Sequence, residues 1–186
     1  MSTVHRDEIL DFVTYGEKRD QIRDSAMAAK ERRRVIVADV LTFLFESHET
    51  VRYQVLEMVR TEQLVKESDI QHELDTYNEL LGKDGGLGCT LMIGIRDPEE
   101  RDVKLRTWFG LCAHLYVKLD DGAVVRATWD DRQVGDDRLS SVQFLQFPVG
   151  GRVPVALGCD HPVVTAETQL SEDTRVALTE DIEAVS

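Results

Sequence analysis

Carboxylate and imidazole side chains gather in two helical stretches between positions 45 and 81, where their types and spacing could support chemistry. Glu62 continues an apolar stripe in the first stretch, and Glu73 lies on the apolar face of the second. An ionised carboxylate buried without a partner is unstable or has a raised pKa, so we expect both to face inward and bind arginine, histidine or a metal ion. The stripes are Val51, Val55, Met58, Glu62 and Val65, and then Ile70, Glu73, Leu74, Tyr77, Leu80 and Leu81.

A non-haem metal site is one interpretation of these residues. Carboxylates and histidines on facing helices are the ligands with which helical bundles hold iron or manganese. The E-x-x-H spacing of diiron proteins is missing, because Asp69 stands three residues before His72. A mononuclear site for Fe, Mn or Zn would form if the His161-Pro162 turn closed over the helix pair. The predicted ligands are Glu57, Glu62, His72, Glu73 and His161.

An ion-pair network is the other interpretation. Two arginines in the same stretch would place their guanidinium groups on the carboxylates, and polar side chains of the second helix would complete the hydrogen bonds. The arginines are Arg52 and Arg60, the acceptors are Glu57, Glu62 and Glu73, and the further partners are Tyr77 or Asn78. In this interpretation the acidic residues stabilise the fold and hold no metal.

Two C-x-H pairs form a second candidate site. Cys112 with His114, and Cys159 with His161, would each point to one side of a strand and together offer two thiolates and two imidazoles to zinc or copper. Buried cysteines are also ordinary core residues, and we assign Cys89 to the core. Three cysteines spread over the chain are a poor disulfide framework and suit a reducing compartment.

The chain lacks the common motifs of nucleophilic and nucleotide chemistry. It has no G-x-S-x-G elbow, no P-loop and no G-x-G-x-x-G after a strand. We therefore expect no nucleotide cofactor, and the sequence identifies no catalytic residue. The glycines at 82, 85, 86 and 88 follow a helix instead of preceding one, so we expect a flexible connection there and no phosphate site.

Composition limits the classes of protein to consider. With 186 residues and 42% apolar side chains, the chain can bury one domain. Its formal net charge of −13 argues against binding to nucleic acid or to anionic membranes. No stretch approaches the roughly 20 apolar residues of a membrane span, and the N-terminus lacks a signal-peptide pattern. We expect a cytoplasmic protein, and the sequence leaves its oligomeric state open.

The patterning predicts a single α+β domain. A helical hairpin over 1–34, interrupted near Gly16, precedes a strand and the helix pair over 35–86. The β-rich part over 87–165 predicts an antiparallel meander or a small barrel, because its strands are joined by short turns. An acidic C-terminal helix follows within 166–186.

Individual elements can be predicted more finely. Ser68 and Gln71 form a capping box for the second helix of the pair, which we expect to end at Gly82. Ser171 is the predicted cap of the C-terminal helix. The predicted strands cover 35–45, 87–95, 108–119, 123–129 and 141–149.

Several short motifs distributed along most of the chain are distinctive. They are Phe45-Glu46, Thr50-Val51-Arg52, Glu57-Met58, His72-Glu73-Leu74, Tyr77-Asn78-Glu79-Leu80, Val142-Gln143-Phe144 and His161-Pro162. In these motifs the chain resembles an uncharacterised bacterial family, a domain of unknown function. The resemblance implies a redox or peroxide-defence setting, because members are often encoded beside rubrerythrin-like proteins and iron–sulfur oxidoreductases related to heterodisulfide reductase subunits. Cys112 and Cys159 depart from the family pattern.

Two functions of different class follow. The first is a small metal-binding protein, an oxidoreductase of a redox or peroxide-defence system whose site uses the helix-borne carboxylates and a histidine. The second is a non-enzymatic accessory or assembly protein for an iron-dependent redox partner, in which the carboxylate–arginine network is structural. Metal analysis of the purified protein would separate them.

Overall fold

The structure, a computed structural model, describes residues 3–130, 135 and 137–184. The described α-helices are α1 (Phe12–Arg33), α2 (His48–Thr61), α3 (Glu67–Asn78), α4 (Pro98–Thr107) and α5 (Glu172–Ala184). The described strands are β1 (Arg34–Val37), β2 (Leu41–Phe45), β3 (Leu87–Ile93), β4 (Leu115–Leu119), β5 (Val124–Arg126), β6 (Val142–Phe147), β7 (Pro154–His161) and β8 (Val164–Gln169). Short 3₁₀ helices cover Arg6–Glu8 and Leu111–His114.

The strands form two antiparallel sheets of four strands each. The order in sheet 1 is β1-β2-β3-β6, and the order in sheet 2 is β5-β4-β7-β8. The predicted α+β class and antiparallel pairing are therefore confirmed. The described strands do not close into a barrel, so that alternative was wrong.

The main core lies between the two sheets. Phe43, Leu91 and Leu145 of sheet 1 face the same apolar cluster as Val117 and Leu157 of sheet 2, and α5 adds residues to it. A second cluster lies beneath α1, α2 and α3 and includes the fully buried Tyr15, Val55 and Leu56. The helices that carry the predicted ligands thus have a core of their own.

The N-terminal segment differs from the predicted hairpin. One helix, α1, runs from Phe12 to Arg33 through Gly16 without a break. Asp11 caps it by accepting hydrogen bonds from the backbone N–H groups of Val13 and Thr14. A mid-helix glycine costs only about 1 kcal/mol relative to alanine, and the packing of α1 against α2 outweighs it.

The next segment also differs in detail. The predicted single strand over 35–45 is a hairpin of β1 and β2, and its turn contains Ala38 and Asp39 in the left-handed region. The predicted capping box was wrong, because α3 begins at Glu67 with Lys66 as its N-cap residue. The same helix ends at Asn78, before Gly82.

In the β-rich half, the prediction for 108–119 was wrong over its first part. Helix α4 ends with Trp108 as its C-cap, and a 3₁₀ turn follows before β4. The sequence analysis missed α4, β7 and β8. Ser171 does cap the last helix, because its hydroxyl accepts the backbone N–H of Thr174. None of the described helices is long and apolar enough to cross a membrane.

The glycine-rich segment after α3 is closely packed, which corrects the predicted flexible connection. A Cβ on Gly88 would lie 1.7 Å from the carbonyl oxygen of Leu80, and one on Gly82 would lie 2.1 Å from that of Gly86. Both approaches are far below van der Waals contact. Two stretches of backbone are in direct contact here, and only glycine, which has no Cβ, leaves room for that contact.

Candidate functional site

Glu57 on α2 accepts hydrogen bonds from two residues of α1. The Arg19 guanidinium donates from Nε to Glu57 Oε1 at 2.8 Å and from Nη2 to Oε2 at 3.0 Å. The fully buried Tyr15 donates its hydroxyl to Glu57 Oε1 at 2.5 Å. The hydrogen bonds from Arg19 are the main reason why the pKa of Glu57 is below its usual value. Both carboxylate oxygens are therefore engaged by protein donors.

Glu62 does not lie on a buried stripe, and this part of the sequence analysis was wrong. Helix α2 ends at Thr61 with Glu62 as its C-cap, and Gln63 adopts a left-handed conformation with φ of 51°. The chain leaves the helix axis at this point, so the helical period no longer applies. Glu62 and Val65 are both exposed.

The remaining predicted ligands lie on α3 and at the end of β7. His72 is exposed and Glu73 is only partly buried on α3, whereas His161 is buried beside sheet 2. Over residues 3–130, 135 and 137–184, no three His, Cys, Asp or Glu side chains are grouped so that they could hold a metal ion. The metal site composed of Glu57, Glu62, His72, Glu73 and His161 stays a prediction without a matching cluster in this part of the chain.

The ion-pair interpretation has the right kind of partner but the wrong arginines. Arg52 donates from Nε to the backbone oxygen of Glu8, and Arg60 is exposed. The residues that bind Glu57 come from α1, 38 and 42 positions earlier in the chain. A sequence signal for them existed: Tyr15 and Arg19 are four residues apart, and in a continuous helix they share a face.

The two C-x-H pairs are close together but do not form a four-ligand site. Cys112 and His114 belong to a 3₁₀ turn instead of a strand, so Cys112 is buried while His114 is partly exposed. Burial raises the pKa of the Cys112 thiol to about 11 and also raises that of Cys159. Cys112 donates to the buried Gln143 at 3.7 Å. These thiols are core groups that remain protonated at neutral pH.

His114 and His161 meet near an ion pair on sheet 2. Their rings are T-shaped at 5.0 Å between centroids, and His114 Nδ1 lies 3.0 Å from Asp160 Oδ1. Arg126 binds the same carboxylate through two nitrogens, and this holds the pKa of Asp160 low, at about 2. These charge-assisted hydrogen bonds link β5 and the second 3₁₀ helix to β7.

We predict that His161 makes the protein less stable in mild acid. Burial, and then the neighbouring His114, lowers its pKa in the folded protein. Above the ordinary histidine pKa of about 6.5 the ring is neutral in both states. Below that pH the unfolded chain gains a proton before the folded chain does, so the free energy of unfolding falls. Urea unfolding between pH 7.5 and 5 should show a smaller decrease in His161→Gln; an unchanged pH slope would contradict this.

A polar cleft that the sequence analysis missed lies between α1, α5 and the start of α2. It has a volume of about 240 Å³ and is lined by Arg33, Glu46, His48 and Asp181 among others. Arg33 is buried and binds Asp181 through Nε and Nη2, both at 2.8 Å. Burial raises the pKa of Asp181 despite this partner. The pair joins the C-terminal helix to α1.

Glu46 supplies the buried carboxylate of the cleft. Thr50 donates its hydroxyl to Glu46 Oε2 at 2.5 Å, and Thr90 donates to Oε1 at 2.6 Å. The side chain therefore links the start of α2 to strand β3. No periodicity pointed to Glu46, because it stands in the two-residue connection between β2 and α2, directly before the Ser47 cap.

The likeness to known proteins agrees with this architecture. Residues 3–182 match the family described as "Protein of unknown function (DUF3501)". The chain belongs to the DUF3501 family. A crystal structure of a protein of unknown function from Burkholderia pseudomallei K96243 superposes with a TM-score of 0.89 at 31% identity, over 97% of this chain and 99% of that one. No curated protein matches the chain significantly. The resemblance to a family of unknown function is confirmed, and the match brings no activity with it.

Proposed function

We propose that the protein is a non-enzymatic accessory protein for an iron-dependent redox partner, with its helix-borne carboxylates serving structure. The observation that carries the proposal is the set of hydrogen bonds that Glu57 accepts. Its two oxygens accept three hydrogen bonds from Arg19 and Tyr15. A carboxylate held in this way would have to lose those bonds before it could bind a cation.

The other acidic residues support the same proposal. Glu46 is satisfied by two threonine hydroxyls, and Asp181 is satisfied by Arg33. Each of these buried carboxylates joins two elements of the fold, which is a structural role. The redox setting is supported by the resemblance to a family whose members are often encoded beside rubrerythrin-like and iron–sulfur proteins.

Unfolding in urea with and without metal tests the proposal. A ligand that binds only the folded state at a hundredfold excess over its Kd raises the free energy of unfolding by about 2.7 kcal/mol. We expect anaerobic Fe²⁺, Mn²⁺ or Zn²⁺ to leave the unfolding free energy unchanged relative to EDTA. We expect Tyr15→Phe to lower it by about 1.5–3 kcal/mol in either buffer, because it removes a buried hydrogen bond to a charged group.

Glu62→Gln is the matched control, because Glu62 is a predicted ligand that lies exposed at the end of the same helix. It should behave like the unaltered chain in both buffers. A rise in stability with metal that disappears in Glu57→Gln or His72→Ala would overturn the proposal and support the metal-binding oxidoreductase.

A further inference from the structure

The outer face of sheet 1 carries an exposed apolar row. Ile36, Thr42, Met92 and Val142 are paired in register across all four strands, so their side chains share one face. Ile36 is 51% exposed, Met92 36% and Val142 41%. The opposite face of the same strands fills the main core. The row is therefore an apolar surface that the described helices leave largely uncovered.

A groove lies at the edge strand β6, beside this row. Phe144, 39% exposed, lies in the next register row and lines a cavity of about 780 Å³. Tyr77 and Leu80, from the end of α3 and just beyond it, form one wall, and Trp129 forms another. Aromatic side chains with one apolar body and one polar end are typical anchors of protein interfaces. We name this cavity, lined by Tyr77, Leu80, Trp129 and Phe144, the sheet 1 groove.

Trp129, which lines the groove and packs against the main core, has an unsatisfied indole N–H that is itself buried. Within the described part of the chain, its Nε1 is the one buried side-chain nitrogen or oxygen that has no hydrogen-bond partner. Buried indole N–H groups ordinarily have an acceptor. Because this N–H is buried, an acceptor from a bound segment would reach it only if the ring moved.

The charges beside the groove are mainly acidic. Among the described residues that line the cavity, Glu79 and Asp130 are acidic and Lys83 is basic. The whole chain carries a formal net charge of −13. A second copy would bring the same negative charge to this surface, whereas a basic partner would be attracted to it.

We propose that the sheet 1 groove binds an amphipathic, lysine- or arginine-rich segment of a partner protein, whose apolar side chains contact Phe144, Tyr77 and Trp129. The inference rests on the proposed accessory function, because it assigns the surface that meets the partner. Helical segments recognised in grooves use apolar anchors three and four residues apart with charged residues at the rim. The groove offers apolar side chains for such anchors, and Glu79 and Asp130 are among the residues that line it.

A synthetic peptide of leucine and lysine at helical spacing is the probe, and the same peptide with glutamate in place of lysine is its control. The chain has two tryptophans, so Trp108→Phe leaves Trp129 as the sole tryptophan. In EDTA, we expect the Leu/Lys peptide to shift Trp129 emission in a saturable, one-to-one manner. We expect Phe144→Ser to raise the Kd at least tenfold and the Leu/Glu peptide not to bind.

Val163→Ser is the matched variant, because Val163 is an exposed apolar residue in the turn between β7 and β8. It should leave the Kd unchanged. The proposal is overturned if Phe144→Ser and Val163→Ser weaken peptide binding equally, if both peptides bind, or if the Leu/Lys peptide does not bind. It is also overturned by a dimer in sedimentation equilibrium that Phe144→Ser dissociates, which would make a second copy the occupant. The peptide-binding and sedimentation measurements are made without metal. Their outcome is therefore independent of the metal titration that tests the accessory function.

Discussion

Replacing Arg33 with methionine should lower the free energy of unfolding by about 3–5 kcal/mol, the usual effect of leaving one member of a buried ion pair alone. The Arg33 side chain is 7% exposed and that of Asp181 14%. Without the guanidinium, the Asp181 carboxylate would remain buried between α5 and α1, and it would have to take up a proton or reach water. Urea unfolding followed by circular dichroism at pH 7 measures the loss.

Two further variants show whether the loss belongs to the pair. Arg34→Met is the matched control, because Arg34 is exposed and pairs on the surface with Glu31; it should change stability by less than about 1 kcal/mol. Arg33→Met combined with Asp181→Leu should regain most of the loss, since apolar residues often replace a buried ion pair without penalty. Equal losses in Arg33→Met and Arg34→Met would contradict the structural role of Asp181.

The second large effect is expected at Gly88. A Cβ at this position would lie 1.7 Å from the carbonyl oxygen of Leu80, so Gly88→Ala forces backbone to move against backbone. Overpacking typically costs about 1–3 kcal/mol, and a contact with main chain belongs at the upper end of that range. Thermal and urea unfolding should both show the loss.

Gly94→Ala is the matched control for this substitution. Gly94 follows the same strand, and the nearest atom to its added Cβ would be the Val40 oxygen at 3.7 Å, an ordinary contact. The free energy of unfolding of Gly94→Ala should stay within about 1 kcal/mol of that of the unaltered chain. If Gly88→Ala were as stable as Gly94→Ala, the segment after α3 would be the flexible connection that its glycine content predicts, and the close packing would be contradicted.

The elements that could be predicted from sequence are those whose signals are local. Alternation of apolar residues located β3 and β6, and Ser171 with its acidic neighbours located the start of α5. The break predicted near Gly16 failed because a local penalty of about 1 kcal/mol is small against the burial of one helix face on another. Residues such as Ala26 and Ala29, which are small and buried, carry that packing without a strong amphipathic pattern.

The candidate site was harder to predict because it depends on contacts distant in sequence. The predicted apolar stripe continued to Glu62, beyond Thr61, at which α2 ends. The helical period therefore predicted a core position for a carboxylate that is exposed. Glu57 was one of the candidate ligands and ion-pair acceptors, but its partners come from a helix that was predicted to break at Gly16. The Arg33–Asp181 pair spans 148 positions, and no local pattern joins such residues.

The metal content of the purified protein tests the central claim most directly, which is that Glu57 and its neighbours hold the fold together and hold no metal. Protein would be prepared without chelator from cells grown with added iron, manganese and zinc, and analysed by inductively coupled plasma mass spectrometry. We predict that every metal is far below one ion per chain, with the same values in Glu57→Gln. One ion per chain that is lost in Glu57→Gln or His72→Ala would contradict it.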